Sequence, residues 1–309
     1  MKHNSLSLFG KGMLMGMVDI IPGLSGGTMA LITGVYEELI RSINQLGLKS
    51  LVVLKQKGVK SFWEAINGKF LFPLGLGILS GIFTLASAIT YLIEHHTIKL
   101  WAFFFGLIVS SIFVLIKQQK DWKSTHYILL LMGCFVAYGV TQLTPAQSSG
   151  SMFYLFIGSL LAIIAMILPG ISGAYIFILL GLYQEVVTTI KNTATAIVTL
   201  DTTLAGETFT KVGIIGLGII LGLKLFAGLL NWLFARKKAA TLSVLIGFMI
   251  GAMPKIWPWK KKLGTEGSPL VENISPLAYS GDAQLYPAIA LIILGALSLL
   301  FIDYLAKRT

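Results

Sequence analysis

Ten apolar stretches alternate with polar segments along the chain. Six of them reach or approach the roughly 20 residues that a helix needs to cross a bilayer. These predicted spans cover 70–93, 98–117, 126–143, 212–235, 239–256 and 284–305. The other four stretches are too short to cross and come in two pairs, 11–21 with 25–40 and 154–168 with 172–187.

A proline-glycine break separates the two members of each short pair. The first break is Pro22-Gly23-Leu24-Ser25-Gly26-Gly27, and the second is Pro169-Gly170-Ile171-Ser172-Gly173. Free backbone groups in lipid are costly unless they line a cavity or are buried in protein. We therefore predict two re-entrant helical hairpins, 11–40 and 154–187, whose tips reach the membrane interior.

The two halves of the sequence repeat each other. Six positions of the first hairpin recur 147 positions later, namely Gly23, Ser25, Gly26, Gly34, Tyr36 and Glu38 as Gly170, Ser172, Gly173, Gly181, Tyr183 and Glu185. Glycines of the following spans recur at an offset of 141, such as Gly77 as Gly218 and Gly106 as Gly247. The pattern predicts a first repeat over 1–147 and a second over 148–309, each with one hairpin and three spans.

Three spans per repeat is an odd number, so the second repeat should be inserted upside down. We therefore predict an all-α integral membrane protein of two inverted-topology repeats. The segment 41–66 alternates lysines with apolar residues and is expected to form an amphipathic helix on the cytoplasmic surface.

Composition fits a membrane protein. Of the 309 residues, 55% are hydrophobic and 12% are charged, and the mean hydropathy is +0.82. Soluble domains carry about 25% charged residues, so a water-soluble domain, a disordered chain and a secreted disulfide scaffold are excluded. Cys134 is the single cysteine, which rules out an internal disulfide and a cysteine-ligated metal site. No metal and no cofactor is predicted.

The net charge of +11 reports orientation, because Lys and Arg collect in cytoplasmic loops. With both termini inside, 16 cations fall on the inner side, 7 on the outer side, and Lys224 within a span. This arrangement places the loop 255–283 outside, where Trp257 and Trp259 are expected to anchor it at the membrane interface.

The hairpin tips predict an anion site. Exposed N–H groups and the positive end of a helix dipole favour phosphate, and inverted-repeat transporters bind their substrates near the midplane. The predicted substrate-binding residues, which combine both tips with one intramembrane cation, are Asp19, Ser25, Gly26, Gly27, Thr28, Ser172, Gly173, Ala174, Tyr175 and Lys224.

Four ionisable residues allow two interpretations each. Asp19 is either a coupling group for protons or sodium or a cap for the tip. Lys224 is either a counter-ion for the anion or a structural partner of Asp19. Glu38 and Glu185 either accept protons or guard an entrance as gates, or they are solvated helix ends.

One long motif resembles a known family. The run Asp19-Ile20-Ile21-Pro22-Gly23-Leu24-Ser25-Gly26-Gly27-Thr28, followed by Gly34-Val35-Tyr36-Glu37, is similar to the signature of the polyprenyl-phosphate translocases, the PopT proteins. The resemblance implies a flippase of the bacterial cell membrane. Its substrate would be undecaprenyl phosphate, returned from the outer to the inner leaflet for peptidoglycan and teichoic acid synthesis.

Two other functions share parts of this pattern. An ion-coupled carrier of a small soluble anion needs the same tip chemistry, but with a closed, water-filled vestibule instead of a lateral opening. Gly23-Leu24-Ser25-Gly26 also resembles the motif of intramembrane serine proteases. A serine nucleophile needs a base within hydrogen-bond reach. No histidine lies in the interior of a predicted span, since His126 only begins one, so no enzyme activity is predicted.

Overall fold

The chain is almost entirely helical. The computed structural model describes residues 4–21, 24–146, 150–199, 202–262 and 271–306. Within these ranges the helices are α1 (Ser5–Asp19), α2 (Gly26–Ile32), α3 (Tyr36–Gln45), α4 (Leu48–Ala65), α5 (Gly68–His95), α6 (Thr97–Gln118), α7 (Ser124–Gln142), α8 (Met152–Ile167), α9 (Gly173–Leu179), α10 (Tyr183–Thr199), α11 (Thr202–Ala252) and α12 (Leu285–Ala306). Two three-residue strands, β1 (Lys260–Lys262) and β2 (Val271–Asn273), form an antiparallel ribbon.

Four helical segments of the described chain are long and apolar enough to cross a membrane. They are Gly68–His95, Thr97–Gln118, Ser124–Gln142 and Thr208–Ile256, and a fifth is added if the bent pair of α9 and α10 counts as one span. The protein is therefore a multi-pass membrane protein. The predicted spans 70–93, 98–117 and 126–143 agree with α5, α6 and α7 to within a few residues.

Helix α11 is too long for one straight crossing. Its 51 residues would extend about 76 Å, against a hydrocarbon core of about 30 Å. The helix leaves α geometry at Lys237, where φ is −140° and ψ is 47°. This break lies between the predicted spans 212–235 and 239–256, so α11 consists of two segments, 202–236 and 238–252.

Both predicted hairpins change direction more often than the sequence indicates. The second apolar stretch of the first hairpin, 25–40, is divided into α2 and α3. The second stretch of the other hairpin, 172–187, is divided into α9 and α10. Gly34 and Gly181 stand at the two divisions with φ of +74° and +66°, a region open to glycine because it has no Cβ. The bend between α9 and α10 is 116°. Helix α10 also runs on to Thr199, past the predicted end of the hairpin at 187.

The predicted amphipathic helix 41–66 is likewise interrupted. Its first residues belong to α3, and α4 begins only at Leu48 after a turn. Helix α4 itself kinks at Gly58, where φ is +78°. Leu48, Leu51, Val52 and Val59 on α4 are exposed, which gives this helix the apolar surface that the pattern predicts.

Helices from the two halves of the chain pack in matching pairs. Helix α1 packs on α5 and α8 on the first segment of α11, whereas α6 packs on α12 and α7 on the second segment of α11. At each of these contacts, glycine lets a backbone approach another helix. A Cβ at Gly77 would collide with the carbonyl oxygen of Phe9, and one at Gly218 with that of Phe156.

The glycine contacts of the second and third spans are exchanged contacts, because each joins a helix of one half of the chain to a helix of the other half. A Cβ at Gly106 in α6 would collide with the carbonyl oxygen of Ile292 in α12. A Cβ at Gly247 in α11 would meet that of Leu130 in α7 in the same way. The third span of one half therefore packs against the second span of the other.

Pro22 and Gly23 of the first break, and the predicted repeat boundary at 147/148, lie outside the described residues.

Candidate functional site

The first tip is closed by its own side chains. Ser25 is the N-cap of α2, and its hydroxyl accepts a hydrogen bond of 3.1 Å from the N–H of Gly27. The carboxylate of Asp19, at the end of α1, accepts a bond of 2.6 Å from the N–H of Gly26. The N–H of Thr28 donates to the carbonyl oxygen of Ser25 at 2.9 Å. The donors predicted at this tip are therefore engaged within the hairpin, and Asp19 caps it.

The two hairpins are hydrogen-bonded to each other at their breaks. The hydroxyl of Ser25 donates to the carbonyl oxygen of Met166 at 2.8 Å, and that of Tyr36 to the carbonyl oxygen of Ile167 at 3.1 Å. The hydroxyl of Thr28 accepts a bond of 2.9 Å from the N–H of Gly170. Ser25, Thr28 and Tyr36 are all buried. The breaks of the two hairpins therefore lie in direct contact.

The second tip lacks the corresponding cap. Ser172 is the N-cap of α9, but its side chain makes no capping bond, and its hydroxyl has no hydrogen-bond partner among the residues that the structure describes. The difference follows from the sequence of the two halves, because Met166 occupies the place that Asp19 has in the first hairpin. The thioether of Met166 cannot replace the carboxylate of Asp19 as a hydrogen-bond acceptor for the N–H of Gly173.

A cavity of about 300 Å³ opens at this uncapped tip. Its wall combines the first hairpin, α8, α9, α10 and α11, and includes Asp19, Ser159, Met166, Ser172, Gly173, Ala174, Tyr183 and Ile219. The volume is at the lower end of the range for ligand pockets. Four predicted site residues, one from the first hairpin and three from the second, are thus brought to one cavity.

The remaining predicted residues lie elsewhere. Ser25, Gly26, Gly27 and Thr28 are buried at the junction of the hairpins. The hydroxyl of Tyr175 donates to the carbonyl oxygens of Val140 and Thr141, at 3.4 Å each. Lys224 donates to the carbonyl oxygens of Asn44 and Leu46, at 2.6 Å for the latter. A cation at this position satisfies the free carbonyls at the end of α3. Its observed partners are these carbonyls and not Asp19, which differs from the structural role that the sequence suggested.

The two predicted gate residues have partners within the protein. Glu38 accepts a hydrogen bond of 3.0 Å from the side-chain amide of Asn67. Glu185 forms an ion pair of 3.4 Å with Lys211, and both side chains are about three-quarters buried. Glu38 therefore links the first hairpin to the start of α5, where Asn67 is the N-cap, and Glu185 links the second hairpin to α11.

Two apolar cavities adjoin along α7. One of about 370 Å³ lies between α7 and the two segments of α11 and reaches Lys237 and Thr241. The other, of about 470 Å³, lies between α7, α8 and α9. They share Leu168 and Phe248. Together they follow α7 from Leu129 to Leu143, a rise of about 21 Å, and form what we call the α7 groove.

The loop after α11 is anchored by its tryptophans. The indole N–H of Trp257 donates to the carbonyl oxygen of Ile274 at 2.9 Å, and that of Trp259 to Ala283 at 2.8 Å. Trp259 is buried against Ile98 and Ala288. The expectation that Trp259 anchors at the membrane interface is therefore wrong, since its indole belongs to the packing between the loop, α6 and α12.

The chain matches a known family over most of its length. A profile of the VCA0040-like family, described as undecaprenyl phosphate translocase-like, covers residues 15–271. The chain belongs to the undecaprenyl phosphate translocase-like family. A polyprenyl-phosphate transporter of Vibrio cholerae is 38% identical over 283 residues, which are 89% of this chain and 87% of the relative. Another of Staphylococcus aureus is 28% identical over 260 residues, 80% and 84% of the two chains. No solved structure matches significantly.

Undecaprenyl phosphate translocase-like proteins are transporters, so this member is not an enzyme. The site agrees with that conclusion. The Ser25 hydroxyl, which resembles a protease nucleophile in sequence, donates to the Met166 carbonyl oxygen and accepts from Gly27. A nucleophilic serine would instead donate to a general base.

Three side chains of this region were not predicted to belong to the site from the sequence. Tyr36 recurs as Tyr183, and that repetition was the available signal for its place at the junction. In the sequence, Lys255 and Lys260 contribute only to the count of cations on the outer side. Their positions over the rings of Tyr175 and Trp101 depend on how the loop folds back, which no local pattern reports.

Proposed function

We propose that this protein moves undecaprenyl phosphate across the bacterial cell membrane, from the outer to the inner leaflet, where the carrier re-enters peptidoglycan and teichoic acid synthesis. The family match over residues 15–271 carries this proposal. The names of the two relatives, both polyprenyl-phosphate transporters, support the substrate class. The cavities described above support a proposed position for the headgroup and one for the tail.

The proposed architecture is a pair of inverted repeats, each with a re-entrant hairpin and three spans. The exchanged glycine contacts support it, because Gly106 and Gly247 are 141 positions apart in sequence and make equivalent helix contacts. The 16 cations against 7 support an orientation with both termini in the cytoplasm.

The headgroup is proposed to occupy the cavity at the second tip. The N–H groups at the start of α9 and the hydroxyl of Ser172, which have no hydrogen-bond partner among the described residues, line this space. A phosphate there would accept hydrogen bonds from these donors, which have no acceptor in the described part of the chain. Within the described residues of the first tip, Asp19 and Ser25 already accept the hydrogen bonds of the N–H groups that begin α2.

Asp19 is proposed to couple transport to a cation. Its carboxylate lines the same cavity, and two anions in a low-dielectric site repel each other strongly. A proton or a sodium ion on Asp19 would remove that repulsion and admit the phosphate. Protonation would also weaken the bond to the N–H of Gly26, so cargo binding and the closure of the first tip would be linked.

The repeat suggests how the opposite state is reached. In this state the contact between Ser25 and Met166 is closed, while the corresponding pair, Ser172 and Asp19, faces an open cavity. If the halves exchange conformations, as inverted repeats do in alternating access, the Ser25 contact opens and the Ser172 contact closes. The headgroup would then change sides without leaving the junction of the hairpins.

The α7 groove is proposed to hold the isoprenoid tail. Its walls are mostly leucine, isoleucine, valine and phenylalanine side chains, with Thr144, Lys237 and Thr241 as the polar members of the lining, and such a surface suits a hydrocarbon chain. A carrier of a small soluble anion would need a polar vestibule instead. The groove therefore favours a lipid substrate over that alternative.

A leaflet-exchange assay tests the function. Liposomes with purified protein and fluorescent undecaprenyl phosphate should show exchange well above protein-free liposomes, whereas uptake of radiolabelled inorganic phosphate should not exceed background. Phosphate uptake without lipid exchange would instead support the soluble-anion carrier and contradict the proposal.

Cysteine labelling tests the topology. In a Cys134→Ala background, Lys120→Cys should react from the cytoplasmic side and Leu277→Cys from the outer side, since both positions are exposed. Reaction of both from one side would rule out the proposed arrangement.

A further inference from the structure

Two lysines of the loop after α11 lie side by side over aromatic rings. The ammonium group of Lys255 is 4.3 Å from the ring centre of Tyr175 in α9, and that of Lys260 is 4.2 Å from the ring centre of Trp101 in α6. Lys260 also donates to the carbonyl oxygen of Lys255. Both lysines are partly buried. The loop thus carries two cations into the space between the second hairpin and α6.

Neither lysine has an acidic partner within the part of the chain that the structure describes. Glu272 is the nearest acid in the ribbon, but it pairs in register with Lys261 and not with Lys260. Successive residues of a strand point to opposite faces, so the pairs Lys260–Asn273 and Lys261–Glu272 face opposite ways. Two neighbouring cations without a counter-charge repel each other, and an anion between them would relieve that repulsion.

We propose that Lys255 and Lys260 together bind a phosphate group, and that this site receives the headgroup of the polyprenyl phosphate before it reaches the hairpin junction. The inference rests on the proposed function for the lipid source of the phosphate. The chemistry of the site would also accept inorganic phosphate.

The position of the pair fits a receiving site. Tyr175, under Lys255, is the residue after Ala174 in the wall of the headgroup cavity. Ile256, beside Lys255, lines a small gap at the hairpin junction together with Thr28 and Gly170. By the proposed orientation this loop lies on the outer side, where the lipid is collected. In the state described, the gap itself is only about 10 Å³, so the way inward is closed.

The electrostatic environment of Lys260 also favours the binding of an anion. Burial and the neighbouring charge of Lys255 lower the pKa of Lys260 to about 7. A bound phosphate would stabilise the charged form and raise that pKa again. Binding at a pH just above 7 should therefore be accompanied by uptake of a proton.

Binding measurements on the full-length protein in phosphatidylcholine nanodiscs test the proposal. Tryptophan fluorescence, which includes Trp101, would follow titrations with undecaprenyl phosphate, undecaprenol and inorganic phosphate. Lys255→Gln and Lys260→Gln should each weaken undecaprenyl phosphate binding about tenfold or more, as expected for lost bonds to a charged group. Lys261→Gln is the matched control and should change it less than twofold. Lys260→Arg, which keeps the charge, should restore most of the affinity.

The outcomes separate this site from the proposed function. Binding of inorganic phosphate that depends on both lysines, without any binding of the lipid, would keep the site and reject the lipid function. Unchanged affinity for both probes in the two glutamine variants would overturn the site, even if lipid exchange is normal. If a glutamine variant does not purify as folded protein, Lys255→Met and Lys260→Met replace it, because methionine keeps the contact with the rings.

Discussion

The hydroxyl of Ser25 donates a hydrogen bond of 2.8 Å to the carbonyl oxygen of Met166, the residue that stands in the second hairpin where Asp19 stands in the first. The repeat relates this contact to a second one, between Ser172 and Asp19. That second pair faces a cavity instead of forming a bond. Two related positions of one repeated motif are thus in two different states.

The two serines should therefore respond differently to mutation. Ser25→Ala removes a buried interhelical bond and the cap of α2, so we expect a loss of about 1–3 kcal/mol in unfolding free energy. Ser172→Ala should leave thermal stability unchanged and slow lipid exchange. Ser111→Ala is a control, because that hydroxyl bonds within its own helix. Equal destabilisation by the Ser25 and Ser172 variants would contradict the asymmetry.

Two substitutions separate the capping role of Asp19 from the role of its charge. Asp19→Asn keeps an oxygen that accepts from the N–H of Gly26 but carries no charge, so the protein should fold normally. The dependence of lipid exchange on pH or sodium should then disappear. Asp19→Leu removes the acceptor as well and should cost about 1 kcal/mol of stability. A wild-type pH and sodium profile in Asp19→Asn would show that the carboxylate only caps the tip.

Gly27 is expected to tolerate no side chain. A Cβ there would collide with the carbonyl oxygen of Ile167 across the hairpin junction. Gly27→Ala should force the hairpins apart and cost about 1–3 kcal/mol, seen as a lower thermal midpoint in detergent. Gly75→Ala is the control, since a Cβ at Gly75 meets nothing within 4 Å. Equal midpoints for the two variants would argue against the close approach.

Lys224 is expected to stabilise the end of α3 and to make no contribution to substrate binding. Lys224→Met removes the donor to the carbonyl oxygens of Asn44 and Leu46. Amide hydrogen exchange over 36–47 should become faster, while the affinity for undecaprenyl phosphate stays within about twofold. An affinity loss above tenfold with unchanged exchange in α3 would instead identify Lys224 as a counter-ion of the phosphate.

Lys260 should make stability depend on pH. Its pKa is lowered from an ordinary 10.5 to about 7 by burial and by Lys255. Between these values the unfolded chain holds a proton that the folded protein lacks, so stability should rise with pH from about 7 to 10.5. The thermal midpoint of the wild type, relative to Lys260→Met, should therefore increase over this interval. Lys261→Met should run parallel to the wild type, and a flat difference for Lys260→Met would disprove the shift.

The length of apolar runs was sufficient to predict α5, α6 and α7. The bilayer imposes that length, so it can be read without knowing any partner. The divisions of the hairpins at Gly34 and Gly181 were not predicted, although both glycines were recognised as repeated positions. A glycine in a short apolar run is compatible with a continuous helix, and only the packing around it selects a positive φ.

By itself, the sequence determined that the chain crosses a membrane, that its halves repeat and that the two breaks carry polar groups. Only the tertiary structure decided which break is closed. The partners of Ser25 and Thr28 come from residues 141 and 142 positions away, and a hydrogen bond over that distance leaves no local pattern. The same holds for Lys255 and Lys260, whose charge was visible in the sequence but whose shared position depends on the folding of a loop onto two other helices.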